Sequence, residues 1–134
     1  MSLLVQNSQR EYSEKMKILI CEDNRLAMNT LSFILEKEGY KADTAEDGNK
    51  ALTFLQKTVY DLILVDIHLP FQSGLELIKY LRSDLKMKTP VLVLTAFSDL
   101  QMQRQAGKLG ISGYIIKPFD PSDLIRQICS ILKK

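Results

Sequence analysis

Four short apolar runs punctuate this chain, and each ends on a residue able to do chemistry. Ile18-Leu19-Ile20-Cys21 leads into Glu22 and Asp23, and Leu62-Ile63-Leu64-Val65 into Asp66. Val91-Leu92-Val93-Leu94 leads into Thr95, and Tyr114-Ile115-Ile116 into Lys117. Short runs without alternation predict strands of a parallel sheet covered on both faces. Helical spacing fills the gaps. Leu31, Ile34 and Leu35 follow Asn24 and stop at Gly39, while Ala51, Leu52 and Leu55 follow Asp47-Gly48. Ser73 with Glu76 makes a capping box before Leu77, Ile78 and Leu81, and Ser98 with Gln101 makes another. Asp120 and Pro121 supply a cap and a first-position proline ahead of Leu124, Ile128 and Leu132. A further strand falls near Tyr40 to Thr44, where the pattern is least distinct. From Lys17 onward strand and helix alternate five times, which predicts a parallel α/β sheet.

Strands of one parallel sheet end on the same side, at the rim where open α/β sheets bind ligands. Glu22, Asp23, Asp66, Thr95 and Lys117 are therefore expected to converge there. Three carboxylates so placed raise one another's pKa, and a divalent cation removes that cost. Oxygen-only ligands without a His/Cys cluster favour Mg²⁺, which keeps waters free for a phosphate. Asp66 can then serve as a metal ligand or as a nucleophile toward phosphorus. Lys117 supplies a cation and Thr95 a hydroxyl donor for the phosphoryl oxygens. Asp61 begins its strand, at the opposite edge, and reads as a solvated or capping acid.

Composition narrows the function classes. With 134 residues, 46% of them hydrophobic, the chain has a core's worth of apolar side chains for one domain. A net charge of +2 on scattered basic residues argues against a nucleic-acid footprint. The apolar runs are too short for a membrane span or a secretory signal. Cys21 and Cys129 fit neither a metal motif nor a disulfide framework, and they read as buried reduced thiols of a cytoplasmic protein. Residues 1–15 lack periodicity and precede a second methionine, Met16. They read as a flexible leader or upstream segment, with the folded domain spanning 16–134.

The ordered set Ile-Cys-Glu-Asp-Asn (20–24), Asp-Leu-Ile-Leu-Val-Asp-Ile-His-Leu-Pro (61–70), Gly74, Leu-Thr-Ala (94–96) and Tyr-Ile-Ile-Lys-Pro-Phe (114–119) resembles the receiver domain of two-component response regulators. The resemblance covers residues 17 to 133. It implies a doubly wound (βα)₅ fold of the flavodoxin-like, chemotaxis type, with strand order 2-1-3-4-5. It implies that Asp66 accepts a phosphoryl group from a phosphohistidine of a sensor kinase or phosphotransfer protein. Asp23 resembles a direct Mg²⁺ ligand, Glu22 one acting through water, and the backbone carbonyl of His68 a third protein ligand. Thr95 and Lys117 resemble the holders of the phosphoryl oxygens, and Tyr114 the aromatic switch that turns inward when Thr95 moves. The family often has a cis bond at the position of Pro118. Phosphorylation would remodel the face of the fourth helix, fifth strand and fifth helix, for a downstream partner, a linked output domain or a homodimer.

Two positions depart from the commoner pattern. His68 and Phe97 would flank the phosphoryl group, where the family tunes hydrolytic water. Phe97 is expected to exclude that water, whereas His68 could order it or bond the phosphate. Other classes fit worse. A flavodoxin needs a hydroxyl- and glycine-rich loop where this chain has Glu22-Asp23-Asn24, and a dehalogenase-type phosphatase needs an aspartate where His68 stands. The rival reading is a degenerate receiver that binds a partner without being phosphorylated. Such proteins lose acids or the lysine, and this chain has lost none. The segment before Met16 favours a receiver excised from a larger regulator or hybrid kinase over a free-standing one.

Overall fold

The computed structural model describes residues 15–69, 73–96 and 100–133. Five strands alternate with five helices: β1 (Lys17–Cys21), α1 (Arg25–Lys37), β2 (Lys41–Ala45), α2 (Gly48–Lys57), β3 (Leu62–Asp66), α3 (Gly74–Ser83), β4 (Val91–Ala96), α4 (Leu100–Lys108), β5 (Gly113–Lys117) and α5 (Pro121–Leu132). The sheet is parallel throughout, in the order β2-β1-β3-β4-β5. This is the expected doubly wound (βα)₅ fold.

Helix boundaries follow the predicted cap chemistry. The Asn24 side chain accepts from the Ala27 amide, Asp47 from Lys50, Ser73 from Glu76 and Asp120 from Ser122, each satisfying a donor that the first helical turn leaves open. Gly39, at φ +95°, ends α1 in a conformation that costs other residues more. The second strand starts one residue later than its pattern suggests. Tyr40 is buried and its amide bonds to the Leu35 carbonyl, so it completes the exit from α1. Ser98 of the second capping box lies outside the described residues.

Both faces of the sheet are covered, which explains the unbroken apolar runs. Leu19, Cys21, Ile63, Val65, Val91 and Val93 point to one side, against Ala51 and Leu55 of α2, Leu77 and Ile78 of α3 and Ala106 of α4. Ile18, Ile20, Leu62, Leu64, Leu92 and Leu94 point to the other, against Leu31 and Leu35 of α1 and Leu124 and Ile128 of α5. The cysteines divide. Cys21 is fully buried and burial pushes its thiol far above the ordinary range. Cys129, contrary to the expectation, is only half-buried, with its sulfur 3.6 Å from the Tyr40 hydroxyl. Asp61 behaves as the capping acid it resembled, accepting from the Lys17 amide at 2.8 Å. No helix among the described residues is long and apolar enough to cross a membrane.

Gly74 sets how closely α3 approaches the end of β3. Its amide bonds to the Ile67 carbonyl at 3.0 Å. A β-carbon here would stand 2.5 Å from the Asp66 carbonyl oxygen and 2.7 Å from the Ile67 Cα, both rigid backbone. Helix propensity alone favours alanine over glycine by about 1 kcal/mol. The collision outweighs it, so Gly74→Ala is expected to destabilise the domain by about 1–3 kcal/mol in urea unfolding. An unchanged or raised midpoint would show that α3 can retreat without cost.

Candidate functional site

The pleat decides which strand-end side chains meet. Glu22 continues the parity of Ile18 and Ile20, Asp66 that of Leu62 and Leu64, and Lys117 that of Ile115, so all three emerge on the α1/α5 side. Lys117 Nζ lies 2.7 Å from Glu22 Oε1 and 2.9 Å from Asp66 Oδ2, bridging the two acids. Glu22 is 1% exposed and Asp66 6% exposed. The second oxygen of each is also engaged. Asp66 Oδ1 accepts from the His68 amide at 2.9 Å, and Glu22 Oε2 from the Asn24 amide at 3.1 Å. The Lys117–Pro118 peptide is cis, as the resemblance implied.

Burial is the largest single influence on Glu22 and on Lys117. It pushes the Glu22 carboxyl upward, helped by the neighbouring Asp66 charge and opposed by hydrogen bonds from Lys117 and Asn24. For Lys117, burial acts to lower the pKa, but hydrogen bonds to Glu22 and Asp66 outweigh it and the net direction is up. Lys117 is therefore a fixed positive charge.

Asp23 is exposed at the mouth of the site. Glu22, Asp23 and Asp66 each bring a carboxylate oxygen to within 4.8 Å of the others, the arrangement that could hold a metal ion. Three oxygen donors with neither imidazole nor thiolate suit a hard divalent cation.

Thr95 belongs to the other face of the sheet. It shares the parity of Val91 and Val93, is 1% exposed, and its hydroxyl donates to the Ala96 carbonyl at 3.3 Å. It stands at the same rim without joining the ion cluster. Tyr114 emerges on that face too and is half-buried, its hydroxyl donating to the Gln103 carbonyl in α4. His68 is exposed in the turn after Asp66. Phe97 lies outside the described residues.

Three features of the site escape a reading of strand ends. The Asn24 amide on Glu22 is a backbone contact, with only the capping residue to hint at it. Gly74, a poor helix former at a helix start, signals the close approach beside Asp66. Gly107 is the third: a β-carbon there would stand 2.9 Å from the Tyr114 hydroxyl, so this glycine leaves room for the ring under α4.

Known proteins with this pattern are numerous. Residues 18–129 match the response regulator receiver domain family. The transcriptional regulatory protein ResD of Bacillus subtilis is 32% identical over 92% of this chain and 51% of its own length. The transcriptional regulatory protein PcoR of Escherichia coli is 36% identical over 88% of this chain and 52% of its own. This chain thus spans about half the length of the curated relatives it matches. Among solved structures, the chemotaxis response regulator CheY4 of Vibrio cholerae superposes with a TM-score of 0.81 at 30% identity, covering 87% of this chain and 98% of that one. A receiver domain protein of Methanospirillum hungatei gives a TM-score of 0.84 at 28% identity, covering 90% and 95%. Fold, rim chemistry and relatives agree: the chain belongs to the response regulator receiver domain family of two-component systems.

Proposed function

We propose that this domain stores a signal as an aspartyl phosphate on Asp66. The observation that carries the reading is Asp66 itself, buried at a strand end, 2.9 Å from the Lys117 ammonium and within a cluster of three carboxylates. The donor is a phosphohistidine of a sensor kinase or phosphotransfer protein. An Asp66 oxygen forms the new P–O bond while the P–N bond to the imidazole breaks, and the nitrogen keeps the electron pair. Lys117 and Thr95 hold the phosphoryl oxygens as charge builds on them. When bound, Mg²⁺ neutralises charge on the transferring group. Asp23, Asp66 and the His68 carbonyl would contact it directly, with Glu22 acting through water. The chain modifies itself and later loses the phosphate slowly, so it is a signalling element and not a turnover enzyme. His68 and Phe97 tune that loss by governing the attacking water.

The output follows from the Thr95–Tyr114 side of the sheet. A shift of Thr95 toward the phosphoryl group turns Tyr114 further inward and remodels the α4–β5–α5 face, a population shift between two states. Leu100 on α4 and Ile116 on β5 expose apolar surface there, which supports a docking role. The docked element is a downstream protein, a linked output domain or a second copy of the chain. Relatives about twice as long, several of them named transcriptional regulatory proteins, support the linked domain. In this reading residues 1–15 are leader or upstream segment, residues 16–134 are the receiver, and the protein works in the cytoplasm.

With Mg²⁺ and acetyl phosphate, intact-mass measurement is expected to find one added phosphoryl group on the parent and none on Asp66→Asn. Full labelling of that variant would place the acceptor elsewhere. Calorimetric titration is expected to find Mg²⁺ affinity weakened more by Asp23→Asn than by Glu22→Gln, since only Asp23 loses a direct ligand. Equal losses would mean that the two acids share one role.

A further inference from the structure

Both carboxylate oxygens of Glu22 are engaged in this site. Oε1 accepts from Lys117 and Oε2 from the Asn24 amide, so the carboxylate is clamped between β5 and the start of α1. The Asn24 clamp is itself held. The Asn24 side chain caps α1 through the Ala27 amide at 2.9 Å, which fixes Asn24 at φ −77° and ψ 118°. A capping residue in this extended conformation has its own amide outside the helix ladder. Here that amide is aimed at the buried Glu22 carboxylate, a charge-assisted bond stronger than a neutral one. Lys117, on four flexible methylenes, has no such rigidity of its own. Its direction toward Asp66 depends on the fixed oxygen of Glu22.

We propose that Asn24 is a positioning residue for phosphoryl transfer: its amide locks Glu22, and Glu22 aims Lys117 at Asp66. The inference rests on Asp66 as acceptor and adds a chain of command running from the α1 cap to the acceptor's cation. It also separates two roles that a plain acidic cluster would merge. Asp23 would serve the metal directly, whereas Glu22, acting on it through water, also holds the lysine.

Three substitutions and one exchange measurement test this. Asn24→Pro deletes the amide donor while its ring suits the observed φ of −77°. Asn24→Ala loses the cap but keeps the amide, and Asn24→Ser restores a cap. Phosphorylation by acetyl phosphate is expected to slow by about tenfold in Asn24→Pro, the loss typical when a supporting contact behind a reactive group is removed. Asn24→Ala should slow it less, with Asn24→Ser recovering most of that loss, and calorimetric Mg²⁺ affinity should change less than the rate. Parent-like labelling by a folded Asn24→Pro would overturn the proposal while leaving Asp66 as acceptor. Absence of labelling in the parent would instead count against the acceptor reading. Hydrogen exchange in the metal-free protein needs neither phosphate nor a folded proline variant. The Asn24 amide should be protected in the parent and in Glu22→Gln, which keeps an acceptor, and unprotected in Glu22→Ala. An amide that exchanges freely in the parent, or stays protected in Glu22→Ala, would also overturn the proposal.

Discussion

The Lys117 ammonium between two buried carboxylates is the constraint on which the rim depends. Glu22 and Asp66 are almost fully excluded from water, and each would resist ionisation alone. Lys117 offsets that cost by hydrogen bonds of 2.7 and 2.9 Å. Three strands must end in register for this to happen. Asp66 stands opposite Leu94 across the β3–β4 pair, and Ala96 opposite Lys117 across the β4–β5 pair. A one-residue slip in β5 would send the lysine to the opposite face of the sheet.

The same parity divides labour between the two faces. Acids and lysine open toward α1 and α5, where the cap of α1 reaches back to Glu22. Thr95 and Tyr114 open toward the opposite helix layer, and Tyr114 touches α4 directly through the Gln103 carbonyl. The ion cluster thus lies on one face of the sheet and the Tyr114 contact with α4 on the other. In the proposed switch, a group added to Asp66 would bias α4 through Thr95.

Much of this was legible in the chain. The four apolar runs are too short for helices and too uniform for a half-exposed sheet, so their ends identified Glu22, Asp23, Asp66, Thr95 and Lys117 as rim residues. The caps at Asn24, Asp47, Ser73 and Asp120 were legible because their short polar side chains stand just before helical spacing begins. What failed to show was anything set by three-dimensional closeness. Cys129 looked buried because it is apolar and lies among apolar neighbours on α5, yet it sits half-exposed beside Tyr40. Tyr40 looked like a strand residue until the Leu35 carbonyl claimed its amide. Gly74 and Gly107 carry no chemistry of their own and acquire meaning only from the atoms that a β-carbon would strike.

The electrostatic account is tested most directly by unfolding Lys117→Met in urea at about pH 7 and about pH 5, without divalent cations. Burial already holds the Glu22 carboxyl above its ordinary range and the Lys117 hydrogen bond opposes that rise, so removing the ammonium raises Glu22 further. Groups shifted that way stabilise at low pH and lose the contribution as pH rises through the carboxylate range and beyond it. The variant is therefore expected to be less stable than the parent by about 2 kcal/mol at neutral pH, short of the full cost of a deeply buried pair because Lys117 is one-third exposed. That deficit should shrink at about pH 5, on the way to its disappearance below the unfolded carboxylate range, and on adding Mg²⁺ at about pH 7. A deficit equal at both pH values and unmoved by Mg²⁺, or no deficit at all, would contradict the claim that one lysine compensates the burial of two acids.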